Sequence, residues 1–316
     1  MTLDVVTVGD SVVDIVIPVP RFPRGNEDTV PGERMERQLG GASNFLVQAS
    51  RLGLDVGIID CVGDDDNGRF YRETLRSEGV DVSRVYEREG VPTAHCIVLV
   101  DAEGNHAYIG FQGATKHLVP EEIDPDFIRG SKALYLSGYA LADSPIREAV
   151  LRALDVASDA RISVYFDPSP VLSRIPEEAL RSVISASEVI LLNEREIELI
   201  TGTADYEVAA EKLLNLGPET IILKQGSKGC VVYDRSGSEK VPGFPVEVVD
   251  TTGAGDAFNA SFVFGQLMGW PLRSSAVLAN AVGARKVTKM GAGTNVPTRE
   301  EIIRFISENN VELPDF

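Results

Sequence analysis

Cysteine, histidine and tryptophan are all scarce in this chain of 316 residues: three, three and one. Cys61, Cys96 and Cys230 are scattered and lack metal-ligand spacing, which makes a reduced cytoplasm the natural compartment. His95, His106 and His117 show no metal spacing either. No apolar run reaches transmembrane length. The opening "MTLDVVTVGDSVVDIV" carries acids where a leader peptide would be basic, so it reads as a first strand, and no membrane is expected as a partner. Positive charge is the largest shortfall. Thirty Lys and Arg stand against 48 Asp and Glu, a formal net charge of −18. Such a field repels phosphate backbones and argues against nucleic acid as a partner. It also means that any anion site must supply its own local positive potential. No G-x-x-x-x-G-K-[ST] phosphate loop occurs anywhere.

What is present is an alternation of strand-like and helix-like segments, the pattern of a layered α/β fold. "DVVTVG" (Asp4 to Gly9) is a short buried-strand run. "ASNFLVQASRLG" follows with Ala42, Phe45, Leu46, Ala49 and Leu52 on one helical face. "VGIIDCVG" is strand, and "GRFYRETLRSEG" is helix stopping at Gly79. The strands "ALYLSG", "ISVYFDP", "VILLN", "TIILKQG" and "GCVVYD" come later, mostly with helices between them. The last helix opens at Thr298 with Glu301 three residues on, a capping-box pattern. Two segments, about 14–38 and 94–111, break the alternation and read as strands joined by turns; "HCIVLV-DAEGN-HAYIGF" is a hairpin pattern. The expectation is one α/β domain over residues 1–316 with these segments forming a small β-sheet flap. A flap suits a closing active site and equally a dimerisation arm, so a homodimer through it is a compatible reading.

In "VVDTTGAGDAFNASFVFGQLMG", Gly253, Ala254 and Gly255 let backbone N–H groups converge at the start of an apolar helix. With the positive end of the helix dipole they make an anion site without a lysine. Asp256 stands in the first turn of that helix, where an acid also serves simply to stabilise the helix end. In its surroundings the sequence resembles the ribokinase-like (phosphofructokinase-B) family of carbohydrate and nucleoside kinases. The resemblance rests on "DTTGAGDAF" (250–258), "GGASN" (40–44), "GDDDNG" (63–68), "NERE" (193–196), "LKQGSKG" (223–229) and "KMGAGTNVPTREE" (289–301), in the expected order over nearly the whole chain.

The resemblance implies a three-layer α/β/α domain with a small β-sheet lid, transferring a phosphoryl group from ATP, with Mg2+, to a hydroxyl. Asp256 would accept the hydroxyl proton, and the Gly253–Gly255 amides would hold the transferring group. Asp14, Gly41 and Asn44 would contact the acceptor, although "GGASN" has one residue fewer between its glycines and asparagine than the family usually has. Asp10 is the structural neighbour in this reading. Asn193 and Glu196 would lie at the nucleotide and magnesium, with Glu196 acting through water; the same pair also spells a helix cap. Lys224, Gly226 and Gly229 would flank the nucleotide, or form a bare strand turn, and Asn280 would lie near the adenine. Asp250 and Thr252 would bind a monovalent cation such as K+ with carbonyls near Gly291, or else form a turn. The expected acceptor is a free sugar such as ribose or a hexose, with a nucleoside or an inositol-type polyol as alternatives. A sugar phosphate is disfavoured because no basic cluster adjoins Asp14 or Asn44. A non-catalytic sugar sensor is the rival from another class, and the intact Asp256 argues against it.

Overall fold

In "VILLN" every side chain but the last is apolar, and successive strand residues face opposite ways, so such a segment must be covered on both faces. The computed structural model, which describes every residue except Met1, Glu27 and Asp315, shows this arrangement. Val189 and Leu191 enter one core, Ile190 and Leu192 the other. Val5 and Val6, Tyr165 and Phe166, and Ile222 and Leu223 divide the same way. One core is closed by helices that include Ser43–Leu52, Ala254–Leu267 and Leu272–Val287; the other is closed by Ile146–Ala160, Glu177–Ala186 and Tyr206–Leu214. The result is three layers, helix on sheet on helix. No helix is long and apolar enough to cross a membrane among the described residues.

The large sheet has nine strands, in the order Gly237–Pro242, Gly229–Asp234, Thr220–Lys224, Val189–Asn193, Ser163–Asp167, Ser131–Ser137, Leu3–Val8, Val56–Gly63 and Asp81–Arg88. The first two pairings in that order are antiparallel; the rest are parallel. From Leu3–Val8 the chain first builds towards one edge, then returns to the other side of the same strand. That reversal leaves a crevice at the strands' carboxyl ends, the place where open α/β sheets bind ligands.

A second sheet of four strands runs Glu36–Gly41, Ser11–Pro18, His95–Val100, His106–Phe111. Its inner pair is parallel and both outer pairs antiparallel. Only Gly9 and Asp10, both in the left-handed region (φ 79° and 68°), separate Leu3–Val8 from Ser11–Pro18. The chain thus turns sharply from the large sheet into the small one, above the crevice.

Candidate active site

Each parallel strand that reaches the crevice delivers a polar residue at its carboxyl end: Asp10 just past Leu3–Val8, then Ser137, Asp167, Asn193 and Lys224 as the last residues of theirs. Facing them is the start of the Ala254–Leu267 helix. This helix is buried almost all round, packed on Ser43–Leu52 and Leu272–Val287, as its largely apolar sequence demands. Its N-terminal turn divides two cavities. One, of about 550 Å3 between the two sheets, is lined by Gly253 and Asp256 together with Asp10, Asp14, Asn44 and Arg174, among others. The other, of about 380 Å3, is lined by Ala254, Gly255, Lys224, Gly226, Gly229 and Asn280, with Phe258 and Phe244 as apolar walls.

Gly253 holds φ at 72°, a left-handed conformation natural to glycine. A Cβ on Gly255 would meet only the Lys224 ammonium, 3.8 Å away, so the space above it is open. The three expected amide donors are not equivalent. Ala254 N–H donates to the Thr251 carbonyl at 3.1 Å and is spent. The N–H groups of Gly253, Gly255 and Asp256 find no acceptor among the described residues. The amides left open to an anion are therefore these three, and Ala254 is not among them.

Asp256 Oδ2 accepts from Asn44 Nδ2 at 3.1 Å, and Asn44 Oδ1 accepts from Gly293 N–H at 2.8 Å, which fixes the amide's orientation. The short "GGASN" loop thus still aims its asparagine into the site, because Asn44 is already in the first helical turn. Burial, and then the Asp167 charge, push Asp256 up to about 6, while Asn44 and Lys224 pull the other way. The carboxyl keeps a window on the larger cavity. Asp14, lifted by burial and by Asp256, also stands at about 6. Asp10, treated above as structural, lines the same cavity; burial and Asp256 raise it well above the usual range. The double glycine makes room for both. A Cβ on Gly40 would lie 2.6 Å from Asp14 Oδ2, and one on Gly41 (φ 58°) would lie 2.1 Å from the Asp10 carbonyl.

Lys224 Nζ donates to Asp167 Oδ2 at 2.9 Å and to Asn259 Oδ1 at 3.2 Å; Asn259 Nδ2 donates to Asp167 Oδ2 (2.5 Å) and to the Tyr135 hydroxyl (3.0 Å). Burial opposes the lysine's charge, but Asp167 and Glu196 outweigh it and raise its pKa. Asp167 and Asn259 are absent from the sequence-based site. Asn259 carried a signal, a polar residue one helical turn after Asp256 on an apolar helix.

Asn193 and Glu196 form a reciprocal capping box: Glu196 N–H donates to Asn193 Oδ1 at 2.9 Å and Asn193 N–H to Glu196 Oε2 at 2.8 Å. Neither lines either cavity. Glu196 is nonetheless buried (4% exposed), with its pKa raised by burial and then by Asp167, against Lys224. Asn280 Nδ2 donates to the carbonyls of Val241 and Pro242 at 3.1 and 3.2 Å, holding the edge strand beside the smaller cavity. Gly229 (φ 95°) is required by packing, since a Cβ would fall 2.1 Å from the Val241 carbonyl, whereas Gly226 faces open space.

Asp250 and Thr252 form the turn of the second reading. Asp250 Oδ1 accepts from Thr252 N–H (2.9 Å) and Oγ1 (2.7 Å), and Oδ2 accepts from Gly291 N–H at 2.6 Å. The Asp250 carbonyl accepts from the ammonium of Lys286, which also donates to the Lys289 carbonyl, at 3.4 and 3.2 Å. As they stand, these groups do not fit a monovalent cation such as K+. The acceptors are in use, and two unit charges about 4 Å apart repel by about 4 kcal/mol in a protein-like dielectric. Burial lowers Lys286 to about 8, which leaves it charged at neutral pH.

Comparison with known proteins bears on the family and the fold. The model of the pfkB family of carbohydrate kinases matches residues 2–299. An ATP-dependent ribose-1-phosphate kinase of Halopiger xanaduensis is 34% identical, over 93% of this chain and 95% of that protein. A nucleoside kinase of Methanothermobacter thermautotrophicus is 29% identical, over 98% of each. Among solved structures, a ribokinase from Thermotoga maritima superposes with a TM-score of 0.85 at 29% identity, covering 96% of this chain and 99% of that one. The fold, the order of its motifs and these relatives agree: the chain belongs to the pfkB family of carbohydrate kinases.

Proposed function

We propose that the protein phosphorylates the hydroxymethyl group of a sugar with ATP, and that Asp256 is the base. The observation that carries this reading is the Gly253–Asp256 turn, which stands between the two cavities, with Gly253 and the Asp256 carboxylate on the larger and Gly255 on the smaller. A base with a pKa of about 6 is ionised at neutral pH yet still basic enough to draw a proton. On this reading the N–H groups of Gly253, Gly255 and Asp256, which have no acceptor among the described residues, would meet the developing phosphoryl charge. The smaller cavity suits ATP, which supplies the phosphoryl group. Its glycines admit a phosphate to the backbone, Lys224 provides the local positive charge that the acidic chain otherwise lacks, and Phe258 and Phe244 offer apolar walls to a base.

Among the described residues no group of three or more acidic, Cys or His side chains could cage a metal ion. Mg2+ does not require such a cage, since it keeps most of its waters and relies on phosphate oxygens. On this reading Glu196, whose charge feels those of Asp167 and Lys224, would act on that water shell from behind the cavity walls. Glu196→Gln retains a competent capping side chain. The expected outcome is a denaturant midpoint that does not fall, with a higher Mg2+ concentration needed for half-maximal rate. Glu196→Ala should also lose about 1 kcal/mol of stability.

On the acceptor side, Asp14, Asp10 and Asn44 supply hydroxyl acceptors and donors for ribose or a hexose. A second reading is favoured by the cavity's size, about 550 Å3, and by the exposed rings of Tyr108, Phe111 and Tyr139 on its walls: a furanose bearing a base. Arg174 also reaches this cavity, paired with Asp143 at 2.6 Å, so the absence of nearby basic residues in the sequence no longer counts against a phosphorylated sugar. Initial rates on ribose, fructose, inosine and ribose 1-phosphate separate these classes. With the best of them, Asp14→Ala should raise acceptor KM by one to two decades, the loss of one charge-assisted hydrogen bond, with ATP KM nearly unchanged. A rise confined to ATP KM would overturn the assignment.

A further inference from the structure

Lys286 is the one large charged side chain among the biggest fully buried residues, with no exposed surface at all. Its neighbours in the last turn and just beyond are accounted for: Arg285 and Lys289 both pair with Glu301, at 2.7 and 2.8 Å. Lys286 makes no such ion pair among the described residues. Its ammonium bonds only to main-chain carbonyls, those of Asp250 and Lys289. Convergent carbonyls at a helix C-terminus are the surroundings of a bound cation, since carbonyl dipoles and the helix macrodipole both favour positive charge. Of the two carbonyls, the first belongs to Asp250, whose carboxylate already ties Thr252 to Gly291. The ammonium therefore joins the end of the Leu272–Val287 helix to the stretch entering the Gly253 turn.

We infer that Lys286 is a tethered counter-charge that does the work of a monovalent cation, fixing the Asp250–Gly253 backbone so that its amides face the phosphoryl site without potassium. This rests on reading that turn as the phosphoryl site. Lys286 touches neither cavity and is a positioning residue.

The test compares the wild type with Lys286→Ala, which opens a space, and Lys286→Met, which fills it without charge. Turnover and thermal melting are measured in potassium, ammonium and tetramethylammonium chloride at equal ionic strength. The wild type should turn over equally in all three. Lys286→Ala should lose tenfold or more of its kcat in tetramethylammonium and recover much of it in potassium or ammonium. Its melting temperature should rise on potassium titration, as expected when an ion binds the folded state, while the wild type shows no such rise. Lys286→Met should be slow in every salt. Activation of the wild type by potassium would overturn the inference, as would a Lys286→Ala protein whose rate and melting ignore the cation. If the wild type phosphorylates no acceptor, the kinase reading fails separately, and the melting titration still decides whether an ion replaces the ammonium.

Discussion

Asp256→Asn should lower kcat by about 10²–10⁴, the range for losing a positioned general base, and should also make the protein harder to unfold at pH 7. The rate prediction follows from shape: the amide keeps the contact region with Asn44 but cannot accept the hydroxyl proton. The stability prediction follows from the raised pKa. Asp256 stands at about 6 in the folded protein, against about 3.9 in an unfolded chain. Between those values the folded state holds the extra proton. This favourable contribution is complete below the unfolded value and is lost as pH rises through 6. At pH 7 the folded protein therefore carries an ionised carboxyl in an unfavourable place. Relieving it should gain on the order of 1–3 kcal/mol, with the lower end favoured by the carboxyl's window on solvent. In the wild type, kcat/KM should climb with pH to a plateau above about 6, and the residual activity of the variant should lack that limb. A variant keeping more than a tenth of wild-type turnover would show that the proton goes elsewhere.

Lys224→Met should cost about 3–5 kcal/mol of stability, because removing one partner of a buried pair strands the other. Here two acids are stranded, Asp167 and Glu196, and the side chains of Lys224 and Asp167 are only 15% and 12% exposed. The loss should shrink at pH 5, where Glu196, already raised by burial, takes up a proton more readily than an ordinary carboxyl. ATP KM should rise together with a fall in kcat, since the ammonium is the nearest side-chain atom to the open space over Gly255. Urea melts at pH 5 and 7 beside steady-state kinetics measure both. Unchanged ATP KM with only a stability loss would make Lys224 a structural cation and nothing more.

Much of this architecture is legible in the chain. Parallel strands covered on both faces must be apolar runs, so "VILLN" and "TIILKQG" announce themselves, and the small sheet shows itself by strands without helices between them. Caps are local, and both Asn193 with Glu196 and Thr298 with Glu301 form as their spacing predicts. The turn at Gly253 is equally local. What the sequence conceals is convergence. Asp167 meets Asn259 across 92 residues, and an acid at the end of a strand looks like any loop acid until the sheet order brings it beside Lys224. Arg174 enters the larger cavity from a short turn with no motif around it. Lys286 is concealed by its setting: in "GARKVTK" it reads as one more basic residue near a helix end, and only packing reveals which of these cations has been withdrawn from water.

The sharp turn at Gly9 and Asp10 has one more consequence. It assigns Asp14 to the small sheet, while Asp256 belongs to the helix layer of the large one. A molecule hydrogen-bonded to both would act as a cross-link between two separately built pieces, with only a two-residue hinge joining them at this point. Contacts far from the reacting hydroxyl would then hold the reacting groups in register. A truncated acceptor lacking the hydroxyls that reach Asp14 should therefore react more slowly even at saturation, because binding energy drawn from remote groups is realised as rate.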